Sequence, residues 1–303
     1  MPETGARENV MEVTSLLITL KEILEIAEKR KIAVGAFNAV NLESLQAIIW
    51  AAEELQVPVI LQFAQCHECY NHLEDMGPLM IEWAKRASVP VCVHLDHGET
   101  LEYLQRALDL GFTGIMYDGS TLPYKQNMEN TRKAVEMAAV TGASVEAEFG
   151  CMGRRESGAG DKSGDEDETK IYTDPMQAAF FVDETHIDAL ACSFGTTHGI
   201  YLKQPKLDFS VVEHVRRDTG GIPVVMHGGS GVSREDFRAA IRAGVRKINY
   251  YTYMDKAGGN AAAEYVKSLT EGQPCFYAEA AVRARQAMME NVKEAMKTFA
   301  FLD

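Results

Sequence analysis

The sequence predicts a (β/α)8 barrel with an extra N-terminal helix and additional C-terminal helices. Eight short apolar runs, rich in Val, Ile and aromatic residues, recur along the 303 residues. They lack a regular polar alternation, which is typical of parallel strands buried on both faces. Amphipathic segments follow most runs, and several end at glycine, a frequent helix stop. An open doubly wound sheet is the alternative, but no glycine-rich fingerprint follows the first run.

The eight predicted strands are spread over the chain at intervals that leave room for a helix between neighbours. They cover Ile32–Phe37, Val57–Phe63, Pro90–Leu95, Thr113–Tyr117, Ala143–Phe149, Ala189–Phe194, Pro223–Met226 and Arg246–Tyr250. Proline stands at or near the start of several of them, where the missing N–H is tolerated.

The predicted helices carry apolar residues on one face. They cover Ser15–Lys29, Leu42–Leu55, Thr100–Leu110, Asn127–Thr141, Pro175–Thr185, Phe209–Thr219, Arg234–Ala243, Asp255–Leu269 and Tyr277–Thr298. We expect the first to cover the N-terminal end of the barrel and the last two to follow the eighth strand. We assign no helix between the second and third strands.

The domain organisation predicted is a flexible tail over residues 1–14 followed by one barrel domain over residues 15–303. The segment from Gly150 to Thr173 is glycine-rich, charged and without periodicity. It follows the fifth predicted strand, so on a barrel it opens onto the face where catalysis occurs. We interpret it as a mobile lid, with an inert loop as the alternative.

The composition restricts the partners and the compartment. The formal net charge of −14 argues against nucleic acid or an anionic membrane as the main partner, but not against a small anionic substrate. No apolar stretch reaches the roughly 20 residues that span a bilayer, and the first residues do not form a signal peptide. We therefore expect a cytoplasmic protein without disulfides, in which the Cys66–Cys69 pair is structural rather than metal-binding or redox-active.

Chemically capable residues recur at the predicted strand ends, which meet at one mouth of a barrel. Asp96 and His97 follow the third strand, Glu148 ends the fifth, and His198 and His227 follow the sixth and seventh. Three neutral imidazoles could bind zinc and leave an open position for substrate. The alternative is that these are three separate core or surface histidines.

Two neighbouring features complete this predicted site. Asp96 precedes His97, so we expect the two side chains to point in different directions, with Asp96 as an orienting residue or the general acid and base. The glycines at 228, 229 and 231, together with Ser230, offer backbone amides and a hydroxyl suited to a phosphate group.

Five motifs in this order resemble those of the class II, zinc-dependent ketose-bisphosphate aldolases, which include fructose- and tagatose-bisphosphate enzymes. The resemblance extends from about residue 15 to residue 290. The motifs are Asp96-His97, Val145–Gly150, Gly195–Gly199, His227–Gly231 and Lys247–Thr252.

The resemblance implies roles for individual residues. His97, His198 and His227 would bind one catalytic zinc ion, and Glu148 would hold an alternative zinc position. Asp96 would be the acid and base at the C4 oxygen, and Glu156 would move the proton on dihydroxyacetone phosphate. Residues expected to bind substrate are Asn38, Gly199, Gly228, Gly229, Ser230, Asn249 and Thr252.

The implied activity is reversible cleavage of a ketose phosphate or bisphosphate into dihydroxyacetone phosphate and an aldehyde, through a metal-stabilised enediolate. The resemblance also implies carbohydrate metabolism such as glycolysis, a homodimer or homotetramer, and a monovalent cation beside the zinc. Alternatives are a non-standard ketose such as tagatose bisphosphate or a modified or singly phosphorylated ketose, a metal hydrolase on the same barrel, and a non-catalytic relative.

Departures from the family pattern concern the aldehyde half of the substrate. Ala64, followed by Gln65, stands where members often have serine, Arg154 and Arg155 stand where many have two glycines, and Tyr253 replaces an acidic residue. We hypothesise that these five positions set specificity, with one of the arginines meeting an anionic group of the aldehyde. A solvated arginine pair on a loop is the alternative.

Overall fold

The computed structural model describes residues 16–149, 172–196 and 206–303. Eight parallel strands form a closed barrel in which each strand pairs with its sequence neighbours and the last pairs with the first. This confirms the predicted fold class. The strands are β1 (Val34–Asn38), β2 (Val59–Ala64), β3 (Val91–Gly98), β4 (Gly114–Tyr117), β5 (Ser144–Phe149), β6 (Ala189–Cys192), β7 (Val224–Met226) and β8 (Val245–Asn249).

The described residues contain ten α-helices, most of which alternate with the strands. They are α1 (Leu20–Arg30), α2 (Leu42–Leu55), α3 (Leu73–Arg86), α4 (Leu101–Asp109), α5 (Tyr124–Thr141), α6 (Pro175–Thr185), α7 (Phe209–Asp218), α8 (Arg234–Ala243), α9 (Thr252–Ser268) and α10 (Tyr277–Phe299). None of them is both long enough and apolar enough to cross a bilayer.

Helix α3 is the element that sequence reasoning missed. It contains Gly77 and Pro78, which weaken the helical signal because glycine and proline are the poorest helix formers. Its buried face, which includes Leu73, Met80 and Ala84, nevertheless packs against the barrel. Tertiary burial therefore outweighs local propensity in this segment.

Helix α1 begins later than predicted because Thr19 caps it. The Thr19 side chain accepts a hydrogen bond from the backbone N–H of Glu22, whose carboxylate binds the Thr19 backbone N–H in return, forming a capping box. The preceding residues are extended instead, and the backbone N–H of Ile18 donates to the carbonyl of Val91 at 2.9 Å.

The barrel interior is apolar at the N-terminal ends of the strands. Helix α1 covers this end with a fully buried face that includes Leu20, Ile23 and Leu24. These side chains cluster with interior residues of several strands, among them Ala36, Ile60, Cys92, Ala191 and Val225. The outward faces of the strands form a second, larger core with the surrounding helices.

Towards the C-terminal ends of several strands, the interior becomes polar. On β3, for example, the inward positions run from Cys92 through His94 to Asp96, because successive side chains of a strand alternate between faces. Gln62, Glu146 and Lys247 occupy comparable positions on β2, β5 and β8 and are fully buried. The site described below is built on this polar half of the barrel.

Candidate active site

A bulge at the end of β3 brings two adjacent side chains into one site. The strand continues to Gly98, beyond the predicted end at Leu95, and its pairing with β4 shifts register between these residues. His97 has a φ of 46°, a left-handed conformation that is uncommon outside glycine. The bulge turns His97 so that its Nε2 lies 3.9 Å from Oδ1 of Asp96. The expectation that the two side chains point in different directions is therefore wrong.

His97 and His227 face each other across the mouth of the barrel. Nε2 of His97 lies 2.9 Å from Nδ1 of His227, with the rings nearly perpendicular. The other ring nitrogen of each contacts a carboxylate: His97 Nδ1 lies 2.7 Å from Asp118, and His227 Nε2 lies 2.8 Å from Glu146. Carboxylates in this position fix the imidazole tautomer and leave the opposite nitrogen available to a metal.

Two groups of side chains in the described residues could hold a metal ion. One combines Asp96, His97 and His227, and the other combines His97, Asp118 and Glu148, with ligand atoms lying within 4.8 Å of one another. Neither group includes Cys66 or Cys69, which are exposed free cysteines.

Asp118 is a site residue that sequence reasoning missed. The available signal was its position directly after β4, where it begins the stretch Asp118-Gly119-Ser120. Its Oδ1 accepts hydrogen bonds from the backbone N–H and the hydroxyl of Ser120, which hold the carboxylate in place.

The charges of the site favour a cation between the two histidines. Burial by itself lowers the pKa of His97, but the Asp96 carboxylate and the hydrogen bond to Asp118 outweigh burial and raise it to about 10. Burial lowers the pKa of His227, which favours the neutral ring that a metal requires. Two converging imidazoles among buried carboxylates therefore fit a metal ion.

Asp96 is buried and held by three side-chain amides. Asn38 and Gln62 donate to its Oδ2 at 3.0 and 3.2 Å, and Asn249 donates to Oδ1 at 2.9 Å. Burial raises the pKa of Asp96, but positive charge at His97 and Lys247, together with the amide hydrogen bonds, holds it well below its usual range. The carboxylate is therefore ionised.

The loop after β7 has the conformation expected of a glycine-rich turn, but not every amide is open. Gly228 and Gly231 have φ values of 65° and 95°. The N–H of Gly229 donates to the carbonyl of Asn249 at 3.3 Å, and a Cβ at Gly229 would lie 2.8 Å from that same oxygen. Glycine is thus required at position 229 because a side chain there would collide with β8. The next residue, Ser230, is buried.

Thr252 begins helix α9 directly after β8. The N-terminus of a helix carries partial positive charge and unpaired N–H groups, which attract phosphate. The ends of the seventh and eighth strands are also where many barrels of this kind bind phosphate. This part of the site is suited to an anionic group.

The structure describes three of the five predicted specificity positions. Ala64 is buried at the end of β2, and the side-chain oxygen of Gln65 accepts a hydrogen bond from the backbone N–H of Glu99 at 2.8 Å. Tyr253 lies on α9 with its ring 5.4 Å from the ammonium group of Lys256. The remaining predicted site residues lie outside the described residues: Arg154, Arg155, Glu156, His198 and Gly199.

Fold and site together define a barrel enzyme whose histidines and carboxylates meet at the C-terminal ends of the strands. A sequence profile of the family described as "Fructose-bisphosphate aldolase class-II" matches residues 18–302. The chain therefore belongs to the class II aldolase family, whose members are metal-dependent carbon–carbon lyases.

Individual relatives agree with this assignment. The chain is 42% identical over 252 residues to the fructose-bisphosphate aldolase of Geobacillus stearothermophilus, covering 82% of this chain and 85% of that protein. It is 37% identical over 284 residues to the sulfofructosephosphate aldolase of Alkalicoccus urumqiensis, covering 93% and 96%. The crystal structure of the YdjI aldolase from Escherichia coli K12 superposes with a TM-score of 0.80 at 32% identity, covering 93% and 97%.

Proposed function

We propose that this protein is a zinc-dependent aldolase that reversibly cleaves a ketose phosphate or bisphosphate into dihydroxyacetone phosphate and an aldehyde. The observation that carries the proposal is the convergence of His97 Nε2 and His227 Nδ1, 2.9 Å apart, beside the ionised carboxylate of Asp96. The two imidazoles supply a metal position, and the Asp96 carboxylate beside them supplies a proton acceptor.

The metal would be held by His97, His227 and His198, the last of which is carried over from the family motif. Asp118 and Glu148 would provide a second position that shares His97. When bound, the metal would stabilise the negative charge that develops on the ketose oxygens as the C3–C4 bond breaks. Imidazole ligands favour zinc, and an open fourth position is typical of catalytic zinc sites.

Asp96 performs the proton transfer in this proposal. Its carboxylate accepts the proton of the C4 hydroxyl, the C4–O bond becomes the carbonyl of the leaving aldehyde, and the electrons of the C3–C4 bond remain on C3 as an enediolate. Condensation runs in reverse, with Asp96 returning the proton to the C4 oxygen. By the family resemblance, Glu156, which lies outside the described residues, would protonate C3 to release dihydroxyacetone phosphate.

The remaining contacts would position the phosphate half and the carbonyl. Gly228, Ser230 and Thr252, at the ends of β7 and β8, would bind the phosphate. The family resemblance implies the same role for Gly199, which lies outside the described residues. Asn38 and Asn249 both bind the Asp96 carboxylate. They would therefore hold this acid and base in place while contacting substrate hydroxyls.

The aldehyde half is the open part of the proposal. A fructose 1,6-bisphosphate-like ketose is supported by the relatives named fructose-bisphosphate aldolase. A singly phosphorylated ketose with another anionic group is the second candidate, supported by the relative named sulfofructosephosphate aldolase and by Arg154 and Arg155. A monovalent cation, a homodimer or homotetramer, and a cytoplasmic location stay predictions.

Metal removal combined with substrate screening tests the proposal. We expect a chelator to abolish cleavage, zinc or cobalt to restore it, and borohydride with substrate to leave no covalent adduct. Condensation of a panel of aldehydes with dihydroxyacetone phosphate, and with unphosphorylated dihydroxyacetone, should identify the aldehyde half and the product stereochemistry. Cleavage that survives both chelation and the His97→Ala substitution would contradict the proposed mechanism.

A further inference from the structure

A buried lysine lies in the polar half of the barrel interior. The side chains of Lys247 on β8 and Glu146 on β5 are both fully buried, and their charged groups are 2.8 Å apart. A buried charge is costly unless it is paired and its remaining hydrogen-bonding groups are satisfied. Lys247 also donates to Oδ1 of Asn249 at 2.8 Å. Its position between two site residues points to more than a structural ion pair.

Glu146 connects this lysine to one of the proposed metal ligands. One oxygen of Glu146 lies 2.8 Å from His227 Nε2, and the other contacts Lys247. The second oxygen also lies 3.4 Å from Nε2 of the buried His94. Each oxygen of the carboxylate thus has its own partner, which restricts rotation of the group. The carboxylate is held with one oxygen on the N–H of His227, so Nδ1 of that ring faces Nε2 of His97.

Asn249 connects the same lysine to the proposed acid and base. The Lys247 ammonium group can only donate hydrogen bonds, so it must face the amide oxygen of Asn249 and not the amide nitrogen. The nitrogen of Asn249 then points to Oδ1 of Asp96 at 2.9 Å. With the amide reversed, its oxygen would face the Asp96 carboxylate, and two acceptors would repel each other. Lys247 therefore determines which end of the amide reaches Asp96.

We propose that Lys247 is a positioning residue that sets both halves of the site through one continuous set of contacts. Through Glu146 it fixes the metal-binding face of His227, and through Asn249 it fixes the hydrogen bonding of Asp96. Lys247 contacts neither metal nor substrate in this role. The inference rests on the proposed function for its catalytic half, whereas its metal-binding half can be measured without any substrate.

A neighbouring residue provides a matched control. Arg246 is also a buried cation of β8, and it pairs with Glu28 at 2.6 Å. Its guanidinium group donates to the backbone carbonyls of Ile241 and Val245, so its contacts lie with α1 and α8. Replacing Arg246 therefore removes a buried cation and its ion pair with the partly exposed Glu28 from the same strand, without changing a residue of the proposed site.

The test compares Lys247→Met, Glu146→Gln and Arg246→Met in the full chain. Glutamine at 146 keeps the size of the side chain but has one acceptor oxygen, so it cannot serve both His227 and Lys247. Zinc affinity is measured by chelator competition without substrate, and cobalt loading gives the visible spectrum of the metal site. Both kcat/KM and kcat are then measured at saturating zinc.

We expect both site variants to bind zinc about 10- to 100-fold more weakly, as is typical when partners of ligating histidines are lost, and to change the cobalt spectrum. For Lys247→Met we expect kcat at saturating zinc to fall by more than KM changes, because Asp96 loses its orienting amide. Combining the two substitutions should cost less than the sum of the single effects, since both break one set of contacts. Arg246→Met should lower thermal stability and leave zinc affinity and the cobalt spectrum unchanged.

Three outcomes would overturn the inference. The first is wild-type zinc affinity and cobalt spectrum in both folded site variants. The second is a loss confined to zinc affinity with kcat at saturating zinc unchanged, which would refute the link to Asp96. The third applies if Lys247→Met does not fold, and it is wild-type zinc affinity in the Glu146→Gln variant. A protein without aldolase activity whose site variants still lose zinc would contradict the proposed function and support the inference.

Discussion

The two ends of the barrel interior use the same strands for opposite purposes. At the N-terminal end, inward side chains such as Ala36 and Ile60 pack against the buried face of α1. At the C-terminal end, inward side chains such as Asp96 and Glu146 are as deeply buried but ionised. The same strand geometry directs side chains into the barrel at both ends. The type of residue then determines whether an inward side chain packs in the core or contributes to the candidate site.

The two ends also differ in what makes burial of their side chains energetically favourable. Apolar burial is favourable without a specific partner, at roughly 25 cal/mol per Å² of surface removed from water. Each buried charge at the C-terminal end requires a partner in a defined orientation. Lys247 and Glu146 are such partners of each other. We therefore expect substitutions at the charged end to affect activity most and substitutions at the apolar end to affect stability most.

The largest effect is expected for Asp96→Asn at the charged end. Asparagine cannot take up the C4 proton, so kcat/KM should fall by about 10²- to 10⁴-fold, the usual contribution of a general acid or base. Metal content, measured by elemental analysis, should remain close to that of the wild type, because His97 and His227 are unchanged. Wild-type kcat/KM in a metal-loaded Asp96→Asn protein would remove Asp96 from the mechanism.

An intermediate effect is expected for Leu24→Ala at the apolar end. Leu24 is fully buried in α1 against the barrel interior, and truncation of such a side chain costs about 2–5 kcal/mol of unfolding free energy. Denaturant unfolding should show this loss, while kcat/KM at 25 °C stays near the wild-type value. Glu25→Ala, on the exposed side of the same helix, is the control and should change stability little. A large loss of activity in folded Leu24→Ala would show that the two ends are not separable.

The smallest effect is expected at Glu28, which joins α1 to β8 and α7 through Arg246 and Arg216. Burial raises its pKa, but the arginine and Lys31 contacts lower it from 4.5 to about 2. Because the folded state prefers the ionised form, this stabilisation is complete above about pH 4.5 and is lost as the pH falls towards 2. Partly exposed pairs contribute roughly 0–1 kcal/mol, so the effect is modest.

Unfolding free energy measured against pH checks this prediction. Glu28→Gln should be less stable than the wild type at neutral pH, and the difference should shrink in acid. Glu25→Gln is the matched control, because Glu25 has only an exposed contact with Lys29 at 3.9 Å. A difference between Glu28→Gln and the wild type that is constant from neutral pH to pH 2 would exclude the ion pairs as its cause.

Much of the fold could be predicted because buried parallel strands are local apolar runs. The predicted strands Val57–Phe63 and Ala143–Phe149 differ from β2 and β5 by at most two residues at either end. The missed helix α3 and the extended end of β3 have a common cause. In both, contacts with other elements override a local signal that points elsewhere.

The candidate site was predictable in part for the same reason. His97, His227 and Asp96 stand at strand ends beside glycine or another polar residue, which is a local signal. Asp118 and Lys247 were missed as site residues, because their partners lie on other strands: Asp118 contacts His97, and Lys247 contacts Glu146. Residues distant in sequence give no periodic pattern that would reveal such pairs.

By itself, the sequence determined the barrel, the order of its elements, and the motif residues that place the chain in its family. The alternation of side chains along a strand is a local property, so it can be read from one segment at a time. The tertiary structure alone decided that the β3 bulge turns His97 towards Asp96, and which nitrogen of each histidine faces the other ring. It also decided that Lys247 orients Asn249. These are orientations, and each depends on a partner that only closure of the barrel brings within hydrogen-bond distance.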